Sequence, residues 1–291
     1  MPGSTRKRLR PETSPRFSAQ RRPFSRLFLL LALAVVCLAT ACAPKTATGP
    51  FRNADTAQKF WQMVRRTGTL DAPLDLNLRA SMYVNEGHKS ARMRLSLWGS
   101  TALPLRLDLL STIGSPVAYA SQTRTVWTIF YPDSNQAFTH SDARRALPAL
   151  NLPLPFSLQD MALLLTGHGM ALLPKTYVAA DALPDGGWSY TLANNPVEKV
   201  DFDGLGNIVR MQSPPQDAKD SAWTMDLSRY GKEDFPHSPA KIILTMGRDK
   251  SARIFLKSVE VRNQPWPTNA TRLDLPEDVV PIPLDGRACL Y

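Results

Sequence analysis

Cysteine and histidine are scarce in this chain, which has 3 Cys and 4 His among 291 residues. The histidines are scattered and lack the spacing of metal ligands, and so few cysteines cannot form a Cys cluster. No G-x-S-x-G or H-E-x-x-H motif and no phosphate-binding glycine loop occurs. We therefore expect no enzyme activity, no metal and no cofactor. The histidines are His88, His140, His168 and His237.

Acidic residues are almost absent from the first 26 residues, where eight basic groups face one acid, Glu12. The formal net charge of the whole chain is +10. Residues 1–41 account for +7 of it, which leaves +3 for residues 42–291. An ordinary charge on the remaining chain argues against a nucleic-acid partner.

A long apolar run is also missing. The segment Leu27–Ala41 is apolar or small throughout, but it is shorter than the roughly 20 residues that a transmembrane helix needs. A basic stretch followed by a short apolar one is typical of a secretory signal. Small residues, Ala39, Thr40 and Ala41, then precede Cys42. This order resembles the lipobox of bacterial lipoproteins, in which the cysteine is acylated and becomes the first residue. The alternative is an ordinary cleaved signal with an incidental cysteine.

If Cys42 is acylated, Cys289 has no partner for an intramolecular disulfide.

The chain from Cys42 onward divides into a tether, a domain and a tail. Residues 42–53 are small, polar and contain Pro and Gly, which predicts a flexible tether. Ala43 follows the cysteine where an aspartate would favour the inner membrane, so we expect the outer membrane. We predict a signal peptide at 1–41, the tether at 42–53, one domain at 54–264 and a proline-rich tail at 265–291.

The stretch Lys89–Ala120 organises the domain. Apolar and polar residues alternate on both sides of Gly99, which predicts two paired strands with one apolar face. A similar alternation begins at Leu74. With an apolar helix farther along, these strands are expected to line an apolar cavity. Its predicted lining residues are Leu76, Leu78, Met93, Leu95, Leu97, Leu105, Leu107, Leu109, Met161, Leu164 and Leu165.

The loop after the second of these strands carries an isoleucine, Ile113, between Thr112 and Gly114. Gly114 and Pro116 mark the segment as a loop. Ile113 either folds back onto the core or forms an exposed apolar tip that meets lipid or a lipidated partner. Both alternatives stay open at the level of sequence.

Helices are few. Asp55–Arg66 has one apolar face, Ser141–Leu150 predicts a short helix interrupted by Pro148, and Ser157 can cap a helix that runs through Gly167. The last helix is apolar enough to be either a core element or a lid.

Strand patterns return from Trp188 to Arg262, so the fold class is mainly β: a curved antiparallel sheet or an incomplete barrel with helices covering an apolar cavity. Trp98, Trp127, Trp188 and Trp223 fit the barrel wall, although stacking on a glycan is an alternative.

Several segments in this order resemble the LolB family of outer-membrane lipoprotein receptors. They are Arg106–Ser115, Leu152–Pro155 with the helix ending at Leu163–Gly167, the hairpin Val197–Arg210, and the strands Ala222–Tyr230 and Ala240–Met246. The resemblance covers about Asp55 to Arg262 and excludes the tail.

The resemblance implies a LolA/LolB-like fold, an incomplete barrel whose cavity receives the acyl chains of lipoproteins. It also implies partners: outer-membrane lipid, acylated lipoproteins and a periplasmic LolA-like carrier. Ile113 matches the apolar residue of the family's protruding loop, usually a leucine, and is the expected membrane-insertion residue. The predicted location is the outer membrane, lipid-anchored and facing the periplasm. The alternative function is an envelope lipoprotein that binds another amphiphile or has a structural role.

Overall fold

The computed structural model describes residues 54–150, 156–214, 222–231, 235–267 and 269–285, without the side chain of Pro148. The signal, Cys42, the tether, the connector at 151–155 and Cys289 lie outside these residues. All described residues belong to one compact unit, Phe51–Tyr291, which holds its own hydrophobic core. No helix within the described ranges is long and apolar enough to cross a membrane.

The described strands form one sheet. Their bounds are β1 Asp75–Glu86, β2 Lys89–Ser100, β3 Leu105–Ser111, β4 Pro116–Gln122, β5 Trp127–Tyr131, β6 Gln136–His140, β7 Ala179–Ala182, β8 Trp188–Thr191, β9 Lys199–Phe202, β10 Ile208–Gln212, β11 Trp223–Ser228, β12 Lys241–Met246, β13 Lys250–Arg262 and β14 Ile282–Pro283. The strand order is β14-β6-β5-β4-β3-β2-β1-β13-β12-β11-β10-β9-β8-β7. Pairs among β1 to β13 are antiparallel, whereas β14 joins β6 in parallel.

The long strands β1, β2 and β13 are the centre of the sheet. The β1–β2 hairpin pairs without a shift from Asp75↔Ser100 to Glu86↔Lys89, and β13 pairs along the other side of β1 with one irregularity after Arg79. Because neighbouring strands are antiparallel, their turns gather at two rims. Rim A carries the β1–β2, β3–β4, β5–β6 and β12–β13 turns, and rim B carries the β2–β3, β4–β5, β7–β8 and β9–β10 turns.

Among the described residues, three α-helices accompany the sheet: α1 (Ala54–Thr67), α2 (Ala143–Ala149) and α3 (Leu158–Leu165). A short 3-10 helix, Gly169–Leu172, follows α3. The buried face of α1 includes Trp61, whose ring lies 4.7 Å from that of Tyr190. α2 continues through Pro148, so the expected interruption there is wrong. Pro148 falls in the last turn, and the helix ends one residue later at Ala149, so the proline lies at the end of the helix and does not divide it.

α3 is buried on nearly every side, and its N-terminus is capped as predicted. Ser157 accepts a hydrogen bond from the Asp160 backbone N–H at 3.1 Å, and the Asp160 carboxylate accepts one from the Ser157 backbone N–H at 3.0 Å. This reciprocal capping box satisfies two backbone N–H groups that would otherwise be buried without partners. Arg144 of α2 adds two bonds of 2.8 Å to the same carboxylate, which ties the two helices together.

The segment from Asn263 to Asp285 crosses the outside of the sheet as a strap. Trp98 donates its indole N–H to the Ala270 carbonyl at 3.1 Å, and Trp266 donates to the Leu76 carbonyl at 3.2 Å. The strap then reaches β6, where Leu284 is buried and donates its N–H to the Thr139 carbonyl. In its described residues the proline-rich tail thus adds one short strand, β14, and it packs along the domain.

Candidate functional site

An apolar cavity of about 280 Å³ lies on the inner face of β1 to β5, in the half of the sheet near rim A. This volume exceeds the roughly 150 Å³ cavity that can bind benzene and approaches the lower limit of about 300 Å³ for ligand pockets. Its lining is almost wholly hydrocarbon: Met82, Val84, Ala91, Met93, Leu95, Leu107, Leu109, Val117, Ala118, Ala120, Ile129, Tyr131 and Leu147. Such a cavity offers a dry site for an apolar ligand.

The cavity exists because small side chains face it from β4. Ala118 pairs with Leu109 of β3, and Ala120 pairs with Leu107 of β3, so each of these two β3–β4 pairs has one large and one small side chain. The helix α3 fills the other half of the inner face of the sheet, which we call the trough, near rim B. Gln159 of α3 donates its side-chain amide to the Thr101 carbonyl and its backbone N–H to the Gln122 side chain, both near rim B. Near rim A, Leu147 of α2 is the one helical residue in the described part of the chain that lines the cavity.

Tyr131 supplies the one hydroxyl among the lining residues. Burial raises the pKa of Tyr131 to about 12, because the interior disfavours the phenolate. The ring also packs edge-on against Phe138 at 6.1 Å. The site therefore stays uncharged at physiological pH, which suits hydrocarbon and not an ionic substrate.

The predicted lining residues fall into three groups. Met93, Leu95, Leu107 and Leu109 line the 280 Å³ cavity. Met161, Leu164 and Leu165 of α3 line a separate apolar gap of about 20 Å³. Leu76, Leu78, Leu97 and Leu105 are buried in the core toward rim B and line neither space.

Nine lining residues were not among those predicted from the sequence: Met82, Val84, Ala91, Val117, Ala118, Ala120, Ile129, Tyr131 and Leu147. Ala118 and Ala120 do stand two apart in a strand beside larger residues, which was the available signal.

Ile113 is 90% exposed at the tip of the β3–β4 loop. The loop is held closed because Ser111 donates its N–H to the Ser115 carbonyl at 2.7 Å, and Gly114 donates its N–H to the Ser111 carbonyl at 3.0 Å. Gly114 has φ +95°, a conformation that favours glycine. The loop thus presents Ile113 outward at rim A, and it joins two strands whose ends, Leu109 and Val117, line the cavity.

Two aspartates near the β9–β10 hairpin and one of the four histidines have structural partners. Asp203 closes the β9–β10 turn by accepting from the N–H groups of Leu205 and Asn207, both at 2.9 Å, and Asp201 accepts from the Ser189 hydroxyl. His168 contacts the Thr166 hydroxyl at 3.1 Å. Within the described ranges, no group of three or more His, Cys, Asp or Glu residues could hold a metal ion.

The four tryptophans of the predicted wall are packed into the fold. Trp127, Trp188 and Trp223 are buried, and the Trp98 indole is bonded to the strap. Their placement fits the barrel wall.

No protein-family model matches the chain, and no curated protein sequence matches it. Among solved structures, a DUF1329 family protein from Desulfovibrio piger aligns with a TM-score of 0.51 at 12% identity, over 74% of this chain and 98% of that one. A LolA superfamily protein from Nitrosomonas europaea aligns with a TM-score of 0.47 at 8% identity, over 72% and 94%. A putative outer membrane lipoprotein-sorting protein domain from Vibrio parahaemolyticus aligns at 0.48 with 11% identity, over 75% and 97%.

At these identities the likeness shows the fold and not the activity. The sheet is open, since β7 and β14 are its two edges, and helices cover an apolar cavity on its inner face. The predicted fold class, mainly β with an open, incomplete antiparallel barrel and helices over an apolar cavity, is confirmed.

Proposed function

We propose that this protein is a divergent LolB-like lipoprotein that holds acyl chains in the 280 Å³ cavity and helps insert acylated cargo into the outer membrane. The observation that carries the proposal is that the hydrocarbon-lined cavity and the exposed Ile113 lie at the same rim, rim A. The strands β3 and β4 connect them. A ligand released from the cavity would meet the membrane beside that tip.

The energetics suit a transfer protein. A buried methylene contributes about 0.8 kcal/mol, so an acyl chain leaves a membrane only for a site of comparable apolar surface. The cavity provides apolar surface for a segment of such a chain, and its lining carries no charged side chain. Transfer then needs only a better-binding site downstream, and the bilayer is such a site. This chain would receive its cargo from a periplasmic LolA-like carrier.

The anchor completes the proposal. Cys42 is the expected acylation site, and residues 42–53 are the expected tether between membrane and domain. One acyl chain gives only marginal membrane binding, so stable attachment requires at least two chains on the N-terminus. The protein would then stay at the periplasmic face of the outer membrane.

Binding of a fluorescent fatty acid, with a diacylated peptide as competitor, tests the cavity. Ala118→Leu adds three carbons where the cavity leaves room, so we expect at least about tenfold weaker binding of the fatty acid while stability is kept. Ala162→Leu is the control for packing, because Ala162 is fully buried in α3 away from the cavity. It should cost about 1–3 kcal/mol through overpacking and leave the affinity of the folded protein unchanged.

The same experiment distinguishes the alternative function. If the fatty acid binds but the diacylated peptide does not displace it, the cavity serves another amphiphile. If neither binds at micromolar concentration, the cavity is structural and the proposal fails.

A further inference from the structure

The outer face of the central strands carries four arginines, which we call the arginine face: Arg92, Arg94 and Arg253 near rim A, and Arg79 farther along β1 toward rim B. All four side chains are exposed. Strand register sets their spacing, since Arg92 of β2 and Arg253 of β13 both pair with Tyr83 of β1. Directly paired residues have Cβ atoms about 5 Å apart, so Arg92 and Arg253 start from the two sides of Tyr83.

The positive charges of the arginine face are not balanced within the part of the chain that the structure describes. None of the four arginines makes an ion pair there, whereas Arg106, on the same face toward rim B, is paired with Asp108 at 3.0 Å. Like charges on adjacent strands repel each other. A cluster of this kind lowers the free energy of unfolding, and an anion that binds it reduces the repulsion between the arginines.

Two aromatic rings lie between the arginines. Tyr83 and Phe255 pack edge to face at 5.7 Å, and the Arg92 guanidinium lies over the Tyr83 ring at 5.1 Å. Cationic side chains next to half-buried aromatic rings are a composition found where proteins meet the headgroup region of a membrane.

The arginine face is continuous with the Ile113 loop. Thr112 donates its hydroxyl to the Arg92 carbonyl at 3.4 Å, and a Cβ placed on Gly114 would lie 3.0 Å from the Arg94 guanidinium. The exposed isoleucine therefore projects beside two unpaired cations. An acidic protein surface would satisfy the charges but would give no partner to Ile113, whereas an anionic bilayer satisfies both.

We infer that the arginine face binds the phosphate headgroups of anionic phospholipids and sets the orientation in which rim A meets the membrane. This goes beyond acyl-chain binding, because the arginines point away from the cavity. Each basic residue near an anionic membrane contributes about 1 kcal/mol, or about fivefold in affinity.

The test measures binding of the Phe51–Tyr291 chain to vesicles of phosphatidylcholine, with and without phosphatidylglycerol. Arg92→Gln combined with Arg94→Gln should weaken binding to the anionic vesicles by about 25-fold, and raising the salt should weaken the wild-type interaction. The matched control is Arg66→Gln combined with Arg124→Gln. It removes the same charge from exposed arginines of α1 and of the rim B turn between β4 and β5.

Three outcomes would overturn the inference. The chain may show no preference for anionic vesicles, both double variants may lose affinity equally, or the Arg92/Arg94 variant may keep its affinity. Fatty-acid binding is measured on the same samples. It should be unchanged in both variants, so that loss of the headgroup interaction and failure of the cavity proposal are distinguishable.

Discussion

Replacing Ile113 with glutamate distinguishes two interpretations of this residue in one variant: an exposed tip that enters the membrane, or a residue of the core. Ile113 is 90% exposed, so only about a tenth of the 1.5–3 kcal/mol for burying such a side chain is at stake, about 0.3 kcal/mol at most. For a domain of this size that corresponds to a change in Tm of about 1 °C or less. Full entry of the isoleucine into hydrocarbon would gain the whole 1.5–3 kcal/mol, which is about 10- to 100-fold in the membrane-inserted state.

The assay follows transfer of a fluorescent diacylated peptide from the Phe51–Tyr291 chain into liposomes. We expect Ile113→Glu to slow transfer by about 10- to 100-fold, since a charge resists entry into hydrocarbon. Ile113→Ser should show much of the same loss without altering the charge beside Arg92 and Arg94. Leu205→Glu is the control, because Leu205 is 79% exposed at a hairpin tip on rim B. A large drop in Tm, or normal transfer by both Ile113 variants, would refute the reasoning.

Two further predictions concern the anchor and pH. We expect Cys42→Ala to release the protein from membranes, and mass spectrometry of the wild-type N-terminus to find acylated Cys42; an unmodified N-terminus at another residue would contradict this. Burial, followed by the nearby His237, lowers the pKa of His168, so the unfolded chain binds the proton more readily. The stability that His168 contributes is present above about pH 6.5 and is lost as pH falls through the lower folded pKa. Denaturant unfolding at pH 7 and 5 should therefore show a smaller loss for His168→Gln than for wild type, whereas His88→Gln, at an exposed position, should behave as wild type.

The order of the helices and most strands was predictable because each has a local pattern. The alternation in β2 and β3 and the capping residue Ser157 identify their elements without tertiary information. The short strand β7 and the strap strand β14 were not predicted, because their bounds depend on pairing with distant partners and not on their own composition. Ala179–Ala182 is mostly exposed and has no apolar alternation.

The candidate site was only partly predictable for a similar reason. Periodicity identifies which residues face inward, and Met93, Leu95, Leu107 and Leu109 do line the cavity. It does not show where inward side chains meet one another and where they leave space. That depends on α3, which fills the trough near rim B and brings Met161 and Leu164 against β11 to β13. The exposure of Ile113 likewise depends on the hydrogen bonds that close its loop.

The strap has a consequence for association between copies of the chain. An open sheet ends in strands with unpaired N–H and C=O groups, which can recruit a strand from another molecule. Here β14 occupies one such edge by pairing with β6, and its Pro283 has no N–H to offer a further strand. Asp285 then fixes the end of the strap by accepting from the Ser141 backbone N–H at 3.0 Å and from its hydroxyl at 2.6 Å. The proline-rich tail thereby blocks edge-to-edge association at this side of the open sheet.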